Sequence, residues 1–248
     1  MSRIYRGQAQ MEALDTYFVD AVQLARNAAQ WLQPRNRNAL LDPASIEAGQ
    51  ARAALTTFFG VQFGAGPVPA LSQDDTTFLN TLQTVYAAMA TALNTWTVYI
   101  EYAEREDHDA QDYASARPPV VFPGPDGEVN PADPKSFRAT WRDVRNNMNR
   151  GTRSYIFEHN GMPVVASPAR DLAFRIELNI RFREADAQLK QETILHEMSH
   201  VLADTNDYDN VYADTIVQAR QICAARGADL ARDLADCWGF FPFDLPGR

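Results

Sequence analysis

Apolar residues recur at three- and four-residue steps along the first third of the chain. Leu14, Phe18, Ala21, Val22, Ala25, Ala28, Ala29 and Leu32 form one stripe, which predicts a helix that Pro34 ends. A second helix is predicted from Ser45, with Glu47 in its first turn, to Phe58-Phe59-Gly60. A third opens at Ser72, with Asp74 and Asp75 placed where a helix N-terminus favours negative charge. It runs through Leu79, Leu82, Tyr86, Met89 and Leu93 towards Glu104. The methionine and aromatic positions on these stripes read as core.

Residues 107–134 carry Pro118, Pro119, Pro123, Gly124, Pro125, Gly127, Pro131 and Pro134, which predict a long exposed connection. Ser136–Met148 reads as a short helix. Ser154–Phe157 and Pro163–Ala166 read as short strands, and residues 175–182 alternate polar and apolar as a half-exposed strand does. From Ala187 to Ala203 the period is helical again, as an amphipathic helix. Val211, Ile216, Val217, Ile222 and Leu230 predict two or more further helices before the aromatic tail 238–243. The architecture expected is α+β and mostly helical. It is a single domain over residues 1–248, with a helical part at 8–150 and a site-bearing part at 151–248.

Composition excludes some functions. Of 248 residues, 46% are hydrophobic and 22% charged, an ordinary globular balance that argues against disorder. A formal charge of -9 leaves no basic patch for nucleic acid or an anionic membrane. The longest nearly apolar run, residues 86–93, is too short to span a bilayer. The first eight residues lack the apolar core of a signal peptide, so export is expected to need a non-classical or specialised route, or a leader outside this sequence, and the compartment stays open. Cys223 and Cys237 do not have zinc-ribbon spacing; a disulfide between them and two reduced thiols are both compatible with the sequence.

The chemistry concentrates in Thr193-Ile194-Leu195-His196-Glu197-Met198-Ser199-His200-Val201-Leu202. Histidines four apart on a helix lie on one face, so both imidazoles can reach one metal ion. Glu197 is one step round, placed to take a proton from water at that ion rather than to bind it. A catalytic zinc needs a third protein ligand and an open position. No histidine or glutamate follows His200, so a downstream third ligand is an aspartate, from Asp204, Asp207, Asp209 or Asp214. His108, among charges, and His159, in a turn, read as solvated loop residues.

These features resemble the aspzincins, zinc peptidases of the deuterolysin and peptidyl-lysine metalloendopeptidase group, whose His-Glu-x-x-His is followed by Gly-Thr-x-Asp-x-x-Tyr-Gly. Residues 206–213, Asn-Asp-Tyr-Asp-Asn-Val-Tyr-Ala, keep the acid and the tyrosine as Asp209 and Tyr212 and lose the glycines and the threonine. A rival register on Thr205 makes Asp207 the ligand. Phe58-Phe59-Gly60, the order of strand then motif helix, and residues 234–241 extend the likeness over residues 10–241. The resemblance implies a zincin-like fold with a small antiparallel sheet beside the motif helix. The strand before that helix would form the cleft rim and pair with an extended substrate.

The resemblance further implies Zn2+ held by His196, His200 and Asp209, Glu197 as general base, and Tyr212 as donor to the oxyanion. Asp236 is expected in a substrate pocket, where Gly239 replaces a second acid and leaves lysine preference open. The implied activity is hydrolysis of peptide bonds in a peptide or protein substrate. It would suit a secreted or effector protease. The alternatives are a binding protein that keeps the zinc fold without activity and a zinc amidase acting on cell-wall peptides.

Overall fold

The computed structural model describes residues 2–7, 9, 13–66, 70–102, 112–149, 154–208 and 212–247. In chain order its elements are β1 (Ser2–Tyr5), α1 (Asp15–Trp31), a 3-10 turn (Pro34–Asn36), α2 (Arg37–Leu40), α3 (Ile46–Phe59), α4 (Gln73–Thr95), β2 (Thr97–Tyr102), β3 (Ala114–Val121), β4 (Phe137–Arg138) and α5 (Trp141–Asn149). They continue as β5 (Tyr155–His159), β6 (Met162–Ala166), α6 (Pro168–Asp171), β7 (Leu172–Leu178), α7 (Ile180–Glu184), α8 (Ala187–Ala203), α9 (Ile216–Arg226), α10 (Ala228–Asp233), α11 (Ala235–Phe240) and a final 3-10 turn (Phe241–Asp244). The chain is α+β and mostly helical. No helix among the described residues is long and apolar enough to cross a membrane.

Contacts cluster in two units, residues 1–19 with 91–186 and residues 20–90 with 187–248. The first unit holds a sheet in the order β1-β2-β7-β3-β4. β1, β2 and β7 are parallel, while β3 is antiparallel to both β7 and β4. This five-stranded sheet is therefore mixed, and β5 and β6 form a separate two-stranded antiparallel sheet. Long excursions separate β1 from β2 and β2 from β7, and parallel neighbours require crossovers of roughly a dozen residues or more.

Several elements of this unit differ from the sequence pattern: β1 has no counterpart in it, and β4 occupies the start of the stretch expected as the helix Ser136–Met148, whose helix begins only at Trp141. The third helix ends at Thr95, and the β-branched and aromatic run from Thr97 to Tyr102 becomes a strand instead of a continuing helix. β3 lies inside the stretch expected as an exposed connection. Its pairing with β7 shifts register between Arg117 and Val120, a bulge that accommodates Pro118 and Pro119. β7 stops at Leu178, and residues 180–184 turn helical. β7 is also interior, paired on both edges, so no edge is free for an extended peptide. Its polar residues are ion-paired and not facing open water: Arg175 reaches Glu101 at 2.7 Å and Glu128 at 2.8 Å, and Glu177 reaches Arg117 at 2.7 Å.

The second unit, which carries the motif, is helical. Ser45 caps α3 by accepting the Ala48 N–H at 3.1 Å, and Ser72 accepts the Asp75 N–H at 3.0 Å. Gly60 ends α3 at φ 62°, and a Cβ there would lie 2.7 Å from the Ala228 Cβ, so both conformation and space require glycine. The Phe59 ring centroid lies 5.3 Å from that of Phe78, 5.6 Å from Trp238 and 5.1 Å from Phe241. Burying each such side chain contributes about 1.5–3 kcal/mol. The buried Tyr86 hydroxyl donates to the Trp238 carbonyl at 2.6 Å, and burial pushes its pKa well up. Cys223 and Cys237 form a disulfide joining α9 to α11, with their Cα atoms 6.0 Å apart. Together these contacts fix the segment from α10 through α11, which packs on α8.

Candidate metal centre

α8 carries the motif and is more buried than an amphipathic surface helix. Ile194, Leu195, Met198, Val201 and Leu202 are buried as expected, but so are Glu192, Thr193, His196, Glu197 and Ser199. Buried polar groups require partners, and here the partners orient the two imidazoles. The Asp236 carboxylate lies 2.8 Å from His196 Nδ1, and the Thr205 carbonyl lies 2.8 Å from His200 Nδ1. Both acceptors lack a proton to give, so each imidazole carries its own proton on Nδ1 when neutral and presents a bare Nε2.

The two Nε2 atoms are 3.1 Å apart. The Asp207 carboxylate faces both, with Oδ1 3.2 Å from His196 Nε2 and Oδ2 3.2 Å from His200 Nε2. Three electron-pair donors thus converge on one point. Only a cation relieves that arrangement, either protons on the imidazoles or a metal ion. Ligands at about 2.0–2.1 Å from a tetrahedral zinc stand roughly 3.3 Å from one another, so these spacings and this donor set fit zinc. One carboxylate oxygen of Glu197 lies within 4.8 Å of a ligand nitrogen of each histidine. Glu197 is 6% exposed, close enough to act on a water at the centre.

The field of the carboxylates appears in the proton affinities. Burial alone would lower the pKa of His196, but Asp207 and Asp236 outweigh it and hold the value well above the ordinary range. His200 is shifted up the same way, burial being outweighed chiefly by Asp207. Asp207 is held well below the usual carboxylate range, because hydrogen bonds from both imidazoles outweigh its own burial. The site attracts positive charge.

The helix ends in a turn that serves the site. Asp204 takes a left-handed conformation, φ 64°, immediately after Ala203 and reverses the chain. The reversal brings the Thr205 carbonyl back to His200. Ser199 donates to the His196 carbonyl at 2.7 Å, so the proton in its 2.7 Å contact with Thr205 Oγ1 comes from Thr205.

Of the residues expected at the site, His196, Glu197 and His200 sit together on α8. Asp209 lies outside the described residues; among the described residues, the carboxylate that meets both imidazoles is that of Asp207. The Tyr212 hydroxyl donates to Asp207 Oδ2 at 3.4 Å, and its ring centroid is 6.2 Å from that of His196. Asp236 is not placed as a substrate acid. It is 3% exposed, and its oxygens are taken by His196 Nδ1 and by the Ala213 N–H at 2.7 Å. It therefore anchors one imidazole and the backbone next to Tyr212.

Sequence reasoning missed Glu192, Ser199 and Thr205. Glu192 precedes His196 by four residues, so helical spacing places it on the histidine face. Its Oε1 is 3.8 Å from His196 Nδ1 and has no hydrogen-bond partner among the described residues, and burial pushes its pKa well up. A Cβ at Gly239 would lie 2.1 Å from that oxygen, so the glycine makes room for the Glu192 carboxyl.

No protein-family model matches the chain, and no curated protein matches it. Among solved structures, a zinc peptidase from Grifola frondosa is similar with a TM-score of 0.46 and 15% identity, over 98% of this chain and 99% of that one. So loose a likeness leaves the functional reading to the residues themselves.

Proposed function

We propose that this chain is a zinc-dependent endopeptidase of the zincin kind, with His196, His200 and Asp207 as the metal ligands and Glu197 as the general base. The observation that carries the reading is the convergence of two Nε2 atoms and one carboxylate at 3.1–3.2 Å beside a buried glutamate. His196, His200 and Asp207 would hold zinc there, and the bound ion would supply Lewis acidity towards a peptide carbonyl and towards water, whose pKa would come down to ~7. The chain's own residues do the rest. Glu197 accepts the proton of the attacking water and returns it to the leaving amine. The Tyr212 hydroxyl, already directed at the ligand carboxylate, donates to the oxygen on which negative charge develops. Asp236 and the Thr205 carbonyl keep the imidazole protons on Nδ1, so that the lone pairs stay inward.

The test is cleavage of an unbiased peptide pool, with products read by mass spectrometry. Zinc-loaded protein is expected to cut; chelated protein and Glu197→Gln are not, although Glu197→Gln retains its zinc. Full turnover by Glu197→Gln removes the base assignment. Zinc binding with no cleavage of any peptide favours a binding protein, and cleavage confined to a peptidoglycan digest favours a cell-wall amidase.

A further inference from the structure

We infer that Asp233 is a positioning residue for the metal site, holding the loop that presents Asp207. The inference rests on Asp207 being a zinc ligand. Asp207 lies on the irregular segment after α8, and its side chain is 29% exposed, so burial alone does not fix it. The residues on either side of it are both held by Asp233. The Asn206 side-chain amide donates to Asp233 Oδ2 at 3.0 Å, and the Tyr208 hydroxyl donates to the same oxygen. The backbone reinforces this grip. Asn206 N–H donates to the Asp233 carbonyl at 2.7 Å, and Ala235 N–H donates to the Asn206 carbonyl at 3.2 Å, making a one-residue parallel bridge between Asn206 and Leu234.

A carboxylate that grips both neighbours of a ligand restricts where that ligand can point. Asp207 is thereby aimed at the two Nε2 atoms before any metal arrives. Asp236, three residues on from Asp233, holds His196. One short stretch thus sets the direction of an imidazole ligand and of the carboxylate ligand. The disulfide at Cys237 ties that stretch to α9.

The test measures zinc affinity by competition with a chromophoric chelator, together with the visible absorption of the cobalt(II)-substituted protein. Circular dichroism and melting of the metal-free variants check folding. Asp233→Ala is expected to weaken zinc binding by roughly 10–100-fold and to alter the cobalt spectrum. Tyr208→Phe removes one of the two side-chain bonds and is expected to weaken binding less. The double variant is expected to be no weaker than Asp233→Ala alone, and Asp233→Asn, which keeps an acceptor oxygen, recovers part of the loss. Wild-type affinity and spectrum in a folded Asp233→Ala overturn the inference. So does an equal loss when Asp233→Ala is made in an Asp207→Ala background, because the effect then does not pass through Asp207. Undiminished zinc binding by Asp207→Ala is the distinct outcome in which the ligand assignment itself fails, and the inference falls with it.

Discussion

Replacing Asp236 by asparagine keeps the shape of the side chain and removes its charge, and the geometry leaves the amide no comfortable orientation. Asp236 accepts from His196 Nδ1 at 2.8 Å and from the Ala213 N–H at 2.7 Å, and both partners are donors. With its oxygen on His196, the new NH2 faces the Ala213 N–H, donor against donor. With its oxygen on Ala213, the NH2 faces His196 Nδ1 and drives the imidazole proton to Nε2, where the lone pair is needed. Either way one hydrogen bond to a charged group is lost at a site 3% exposed, a cost of about 1.5–3 kcal/mol. Losing such a partner of a metal-binding imidazole typically lowers metal affinity about 10–100-fold, which is about 1.4–2.7 kcal/mol of binding free energy. Competition titration with zinc reads this directly, and melting of the chelated protein reads the stability loss. If Asp236 instead faced a substrate lysine, Asp236→Asn would bind zinc like the wild type and change only KM and cleavage preference. That result would refute the role derived for it.

Asp207→Ala is expected to lower zinc affinity, leaving it measurable, by more than Asp209→Ala does; equilibrium dialysis that ranks them the other way moves the ligand to Asp209. Gly239→Ala places a methyl where the Glu192 carboxyl lies, 2.1 Å from its Oε1, and is expected to destabilise the fold by about 1–3 kcal/mol. Adding Glu192→Ala should recover part of that loss, and denaturant melts showing no recovery would contradict the packing derived for this pair. In the chelated protein, Glu192, His196 and His200 all hold their protons more tightly in the fold than unfolded. Their stabilising contribution is therefore complete below the unfolded values and is lost as pH rises through the folded ones. Asp207 acts oppositely, contributing above its unfolded value of ~3.9 and losing that only in stronger acid. Melting temperature without metal should fall between pH 5 and pH 8, and zinc affinity should rise over the same range as fewer protons must be displaced. A metal-free melting temperature that climbs with pH would show that these groups are not coupled as described.

The helices were legible where a period and a cap coincide. Ser45, Gly60 and Ser72 mark helix ends in the sequence, and the same residues make the capping contacts in the structure. The sheet was harder to read. Thr97–Tyr102 continues an apolar helical pattern and gives no turn signal, so only its β-branched and aromatic content distinguishes it. β3 is masked by the prolines its bulge absorbs. In β7, alternation signals a polar face, but sequence alone cannot show that distant Glu101, Glu128 and Arg117 will neutralise it. At the site, the spacing of His196 and His200 follows from helix geometry. Which aspartate meets them depends on the Asp204 reversal and on the pairing of Asn206 with Leu234, both set by tertiary contacts. The same holds for Asp236: a conspicuous acid in sequence, it is consumed by two buried donors once the chain is folded.

Anomalous diffraction collected on both sides of the zinc absorption edge, from crystals grown with one equivalent of zinc, tests the central claim most directly. One strong peak is expected about 2.0–2.2 Å from His196 Nε2, His200 Nε2 and an oxygen of Asp207. Glu197 should stand clear of the ion. A peak elsewhere, or none between the two imidazoles, would contradict that claim.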